Sequence, residues 1–144
     1  MDAFLDASVL FSAAYSKTGA SREIIRLGVQ GEIQLVISDL VCNEALLNLK
    51  KKAPEAAPYL LTLLSVVPFR MVHPSKKEVL AAMEYTEFKD APVVAAALCG
   101  KVKYLVSLDK AHLVGVSAVE QGSGLSILLP GDYLKLLRKS SNKI

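Results

Sequence analysis

Short apolar runs alternate along this chain with longer segments of helical spacing. Ala3–Asp6, Ile33–Ser38, Phe69–Val72, Tyr104–Ser107 and Leu125–Leu129 are brief and dense in aliphatic residues, the composition of buried strands. The intervals between them suit helices. Ser8–Tyr15 is apolar and turns into a first helix, and Lys17–Ala20 is a loop. Ser21 is placed to cap a helix to about Gln30, with Ile24, Ile25, Leu27 and Val29 as apolar positions and Gly31 as its stop. Ser38 can cap a helix over about Asp39–Lys52, whose closing lysines suit a helix C-terminus. Pro54 and Pro58 open a helix over about Glu55–Ser65, and Pro74-Ser75 opens one to about Thr86. Asp90-Ala91-Pro92 precedes a helix that is apolar nearly all round, the pattern of a buried rather than an amphipathic helix. A short helix is expected over Lys110–Leu113, a turn at Gly122–Gly124 and a closing helix over Gly131–Lys139.

Strands that are continuous apolar runs, alternating with helices, predict a mostly parallel sheet of about five strands covered by helices on both faces. No internal repeat and no long linker divides the chain, so residues 1–139 are expected to form a single domain with 140–144 as a frayed tail. Composition narrows the class further. With 144 residues, 52% of them hydrophobic, the chain can bury a core and is not of the disordered type. The net charge of +3 is compatible with a nucleic-acid partner without pointing to one. Two cysteines, Cys42 and Cys99, cannot build a disulfide framework and are expected as buried thiols. No apolar run approaches the length of a membrane span, and an acidic start with Asp2 and Asp6 does not suit a signal peptide. A cytoplasmic protein with no membrane partner is the resulting expectation.

In open parallel sheets, ligands bind beyond the carboxyl ends of the strands. Four acids are candidates for that edge. Asp6 ends the first strand, Glu44 lies in the helix after the second, Asp90 opens the apolar helix, and Asp109 follows the fourth strand. Each also has a plainer reading. Asp6, Asp90 and Asp109 can be helix caps, and Glu44 can share a solvated stripe with Asn48 and Lys51. Taken together, four like charges in one cleft would repel and take up protons unless a cation joined them. A hard cation with oxygen ligands, Mg²⁺ or Mn²⁺, is the natural solution. His73 and His112 are read as structural, and no histidine spacing supports zinc. Phosphate-binding glycine loops and nucleophile elbows are absent.

Phe4-Leu5-Asp6-Ala7-Ser8-Val9-Leu10 resembles the opening motif of PIN-domain ribonucleases. Ile37-Ser38-Asp39-Leu40-Val41-Cys42-Asn43-Glu44 is similar to the family's helix glutamate after a strand-end serine. Asp90 with its Ala-rich helix, and Tyr104-Leu105-Val106-Ser107-Leu108-Asp109, resemble its third and fourth blocks. The four occur in order over about residues 3–113. The resemblance implies a three-layer α/β/α PIN-like fold and Mg²⁺- or Mn²⁺-dependent hydrolysis of RNA. It implies Asp6, Glu44, Asp90 and Asp109 as catalytic, metal-binding acids, with Asp6 and Asp109 holding the main ion, and Ser107 and Ser8 as supporting hydroxyls. Many small members are VapC-like toxins of type II toxin–antitoxin pairs, which implies an antitoxin partner and a homodimer. Lys89 departs from the pattern, since relatives often carry further acids there.

Around the acids, Lys17, Arg22, Arg26, Lys50–Lys52, Lys101, Lys103 and Lys110 are candidates for the RNA backbone. Two other readings are weighed. A non-catalytic PIN-like RNA-binding or scaffold protein would not need the acids. A receiver-like phosphoacceptor domain would need paired acids after its first strand and an Asp at the end of its middle strand, and this chain has neither.

Overall fold

The computed structural model describes residues 1–141. It contains five strands, β1 (Ala3–Leu5), β2 (Leu35–Ser38), β3 (Arg70–Val72), β4 (Tyr104–Val106) and β5 (Ser126–Leu128). All neighbours are parallel, in the order β3-β2-β1-β4-β5. Eight helices surround them: α1 (Ala7–Tyr15), α2 (Ala20–Val29), α3 (Asp39–Lys52), α4 (Ala57–Val66), α5 (Lys76–Ala82), α6 (Ala91–Cys99), α7 (Ser117–Ser123) and α8 (Pro130–Ser141). The architecture is a three-layer α/β/α sandwich. The chain moves outward from β1 to β2 and β3, then returns past β1 to β4 and β5. Right-handed crossovers in opposite directions put their helices on opposite faces of the sheet. Accordingly α1 packs with α2, α3 and α4, whereas α6 lies on β1, β2 and β4 with α5 beside it.

The elements follow from their residues. β1 and β2 are buried throughout, as strands covered on both faces must be. Ser38 caps α3 by accepting the N–H of Val41, and Ser75 and Glu78 form a reciprocal capping box at α5. α6 carries six buried residues among nine, with Pro92 tolerated in its first turn. α2 packs tightly on β2 at Gly28, where a Cβ would lie 2.6 Å from the Leu35 Cδ1.

Gly124 ends α7 at φ 78° in the left-handed region that glycine adopts without penalty. Gly124→Ala is expected to cost about 1–2 kcal/mol with no loss of any contact. A denaturation midpoint equal to that of the unaltered protein would contradict the assignment.

Several boundaries differ from the sequence reading. β1 and β4 stop one residue early: Asp6 and Ser107 still donate their backbone N–H groups to Val106 and Leu128 across the sheet, but the pairing ends there and their side chains bond to one another. β2 begins at Leu35 rather than Ile33. Gly19, not Ser21, precedes α2, and Ser21 is buried inside the helix. α5 ends at Ala82 instead of running to Thr86. Residues 110–113 form turns rather than a helix, since the Asp109 carboxylate takes the N–H groups of Ala111 and His112. Helix α7 was not foreseen. α8 includes Ser140 and Ser141, assigned by sequence to a tail, and residues 142–144 lie outside the described residues. Both cysteines are free thiols, half-buried rather than fully buried. Among the described residues, no helix is long and apolar enough to cross a membrane.

Candidate metal centre

β1 and β4 are adjacent, and the crossovers diverge between them, so a crevice opens at their carboxyl ends. A cleft of about 230 Å³ lies there, lined by Asp6, Ser8, Glu44, Asn48, Lys89, Asp90 and Asp109, with Ala7 and Val93 as its apolar contacts. Asp6 reaches it from the end of β1, Glu44 from α3, Asp90 from the start of α6 and Asp109 from the turn after β4. The four acids named from the sequence therefore line one cleft, but among the described residues only Asp90, Asp109 and His112 form a trio with donor atoms within 4.8 Å of one another, and neither Asp6 nor Glu44 belongs to such a group. A larger hollow of about 480 Å³ between α2 and α8 holds the ion-paired Glu23 and Arg26 and no comparable cluster of acids.

The plainer, helix-capping readings divide among the acids. Asp6 does cap α1, accepting the Ala7 N–H at 2.8 Å. Its other oxygen accepts the hydroxyls of Ser107 at 2.7 Å and Ser8 at 3.1 Å. Ser107 is fully buried and also accepts the Asp109 N–H at 3.0 Å, so one hydroxyl ties two of the acids together. Ser8 accepts the Leu108 N–H at 3.1 Å and ties the β1 and β4 ends a second time. Asp109 uses one oxygen to accept the N–H groups of Ala111 and His112, both at 3.1 Å. Asp90 is different. It precedes α6 but makes no capping bond, and its Oδ2 is buried without any partner.

Burial and mutual repulsion disfavour the charged forms of three of these carboxyls. Burial pushes the Asp6 carboxyl above its ordinary value, against the bonds from Ser107, Ala7 and Ser8. Glu44 is raised by burial and then by Asp6 and Asp90. Asp90 is raised by burial and then by Asp109. Each of the three carboxyls thus binds its proton more tightly in the folded chain than in the unfolded one. Across the interval above their ordinary values the folded state holds more protons, so stability falls as pH rises. The metal-free protein is expected to be more stable near pH 5 than near pH 7.5, and saturating Mg²⁺ to flatten that slope by binding the ionised form. Denaturant midpoints in EDTA that rise steadily to pH 7.5 would contradict this.

The donor set fits a hard divalent cation: clustered carboxylates, one with an orphaned buried oxygen, and room for water. A further residue joins it. One oxygen each of Asp90 and Asp109 and one ring nitrogen of His112 lie within 4.8 Å of one another. His112 was read from the sequence as structural. The available signal was its spacing, since three residues after Asp109 places both side chains on one side of a tight turn.

Comparison with known proteins decides the family. The PIN domain family matches residues 2–111. The chain belongs to the PIN domain family. Solved structures share this PIN fold at low sequence identity. A protein from Pyrobaculum aerophilum is 20% identical with a TM-score of 0.65, covering 96% of each chain. A toxin–antitoxin complex from Klebsiella pneumoniae matches at 16% identity and TM-score 0.62, over 89% of this chain and 97% of that one. A sarcin-ricin loop cleaving VapC toxin from Mycobacterium tuberculosis matches at 16% identity and TM-score 0.55, over 72% and 86%. No curated protein matches the chain.

The basic residues named as candidates for an RNA backbone are not equivalent. Arg22 and Arg26 are committed to structure: Arg22 donates to the Ala13 carbonyl and lies over the Tyr59 ring, and Arg26 pairs with Glu23. Lys52 lines a depression that shares Ser8 and Asn48 with the acidic cleft. Lys110 and Lys135 line the next one along, which shares Ser12 and Leu108 with it.

Proposed function

We propose that this PIN-domain protein is a Mg²⁺- or Mn²⁺-dependent ribonuclease and the toxin of a type II toxin–antitoxin pair. The observation that carries the nuclease reading is the Asp90 carboxylate, buried, unpartnered and facing a cleft shared with Asp6, Glu44 and Asp109. A scaffold gains nothing from an arrangement that costs stability when empty. Asp90 and Asp109 would hold the ion, Glu44 would face it across the cleft, and Asp6, locked by three donors, would complete the set and fix the β1 end. A cation held there would supply a water of lowered pKa and charge stabilisation for the leaving oxygen of a phosphodiester.

The chain's own residues supply the rest. Ser107 and Ser8 hold the carboxylates in register. Lys89 lines the cleft and offsets part of its negative charge beside Glu44 and Asp90. Lys52, Lys110 and Lys135 provide a basic track along which an RNA backbone can lie. The toxin reading draws on the Klebsiella pneumoniae complex and on the Mycobacterium tuberculosis protein. With it come an antitoxin and a second copy of this chain as partners.

Purified protein should cleave RNA in Mn²⁺ or Mg²⁺ and stop when EDTA is added, and Asp6→Asn should abolish cleavage. Undiminished cleavage in EDTA, or by Asp6→Asn, would sink the proposal.

A further inference from the structure

His112 sits where a cation held by Asp90 and Asp109 would meet it, and its position is set by the same turn that sets Asp109. The Asp109 Oδ1 accepts the His112 N–H, and the ring folds back so that Nδ1 lies 3.3 Å from the other oxygen, Oδ2. The three nearest donor atoms of Asp90, Asp109 and His112 span no more than 4.8 Å. In an octahedral shell with bonds of about 2.1 Å, opposite donors lie roughly 4.2 Å apart and neighbours roughly 3 Å apart. The observed spread is within a small side-chain rotation of that shell. Behind the ring, Nε2 lies 3.6 Å from the Glu87 Oε2. At that separation the pair is an ion-pair contact and not a hydrogen bond, and a small movement of the Glu87 side chain would bring it to the carboxylate-behind-nitrogen arrangement that orients a metal-bound imidazole. His112 is also only partly exposed, with 30% of its side chain accessible, so the ring is held rather than swinging in solvent.

We infer that His112 is a nitrogen ligand of the cation at this centre, oriented by Glu87, and that it biases the site toward Mn²⁺ over Mg²⁺. The inference rests on the metal-dependent reading above and narrows it. Mg²⁺ takes oxygen donors and keeps its waters, whereas first-row transition ions accept imidazole readily. A site of carboxylates alone would discriminate less between the two. The competing role for His112 is a charge partner of Asp109 and Glu87, displaced or left aside when a cation arrives. That role predicts no nitrogen in the metal's shell.

The test uses Mn²⁺ alone as probe, read by pulsed electron paramagnetic resonance, with Mn²⁺ and Mg²⁺ affinities measured by calorimetry. The chain has two histidines, and the other, His73, lies beside Asp39 on α3. His73→Gln therefore serves as the control and leaves His112 as the sole source of imidazole nitrogen. Imidazole ¹⁴N coupling to bound Mn²⁺ is expected in the wild type and in His73→Gln, and is expected to vanish in His112→Gln. The preference for Mn²⁺ over Mg²⁺ should fall about tenfold in His112→Gln. Mn²⁺ bound without imidazole coupling in wild type and His73→Gln would overturn this inference and leave the nuclease proposal standing. No Mn²⁺ binding by the wild type would overturn both. Because the His73→Gln spectrum decides alone, the result does not depend on how well His112→Gln folds.

Discussion

Asp90→Asn is expected to make the metal-free protein more stable, by about 1–3 kcal/mol near pH 7, the cost of leaving a buried charged group unsatisfied. For a chain of this size that is a rise in melting temperature of roughly 4 °C per kcal/mol. The direction is unusual for a buried position and follows from what Asp90 lacks. It makes no capping bond to α6, and its Oδ2 has no partner. Burial and Asp109 both disfavour its charge. Asparagine keeps the shape, removes the charge and offers an N–H to the neighbouring carboxylates.

The metal response should change in the opposite sense. At 100 times its Kd, Mg²⁺ should stabilise the wild type by about 2.7 kcal/mol and the variant far less. Asp109→Asn should lose the metal response with less gain in EDTA, because an amide oxygen still accepts the Ala111 and His112 N–H groups. Melting the three proteins in EDTA and in excess Mg²⁺ checks both statements. Identical metal shifts in all three would mean that these acids serve the fold alone.

The second large effect is on catalysis. Asp90→Asn and Asp109→Asn should each lower kcat/KM for RNA cleavage by at least ~100-fold, beyond the ~10–100-fold typical of losing an orienting partner. Ser107→Ala should fall inside that lower range. Its hydroxyl donates to Asp6 and accepts from the Asp109 backbone, so its loss loosens two acids without removing either. Steady-state rates at saturating Mn²⁺ separate the two classes. A Ser107→Ala defect as deep as that of Asp109→Asn would mean that the hydroxyl acts on substrate directly.

The sheet was legible in the sequence because buried parallel strands are apolar on both faces and announce themselves as short aliphatic runs. Asp6 and Asp109 were legible as candidates because they stand at or just beyond the ends of such runs, whereas Glu44 inside a helix and Asp90 at the start of one are marked less by position than by the family resemblance. What the sequence did not carry depended on contacts between distant segments. α7 contains Gly122 and is only seven residues long, so no periodicity marks it. The ring of Tyr85 occupies the space a Cβ at Gly122 would take, packing the segment after α5 against α7. The start of α5 is marked by its own Ser75 cap, but neither the end of α5 nor the bounds of α7 could be found from local residues. Asp90 looked like a cap in sequence, and only the geometry separates it from Asp6, which does cap its helix. His112 reads as structural in the sequence because its three-residue spacing from Asp109 is the one signal it carries, and spacing alone does not say where the ring points. The Asp109 carboxylate shapes the turn by accepting the His112 N–H, and the direction of the ring follows from that turn.

The most direct test of the account is one titration of Mn²⁺ into chelator-treated protein, followed in parallel by calorimetry and by RNA cleavage, for the wild type and Asp109→Asn. The account predicts that wild-type cleavage rises from baseline with the same midpoint as metal binding, and that the variant shows neither at those concentrations. Cleavage that is present before Mn²⁺ is added, or that is equal in the two proteins, would contradict it.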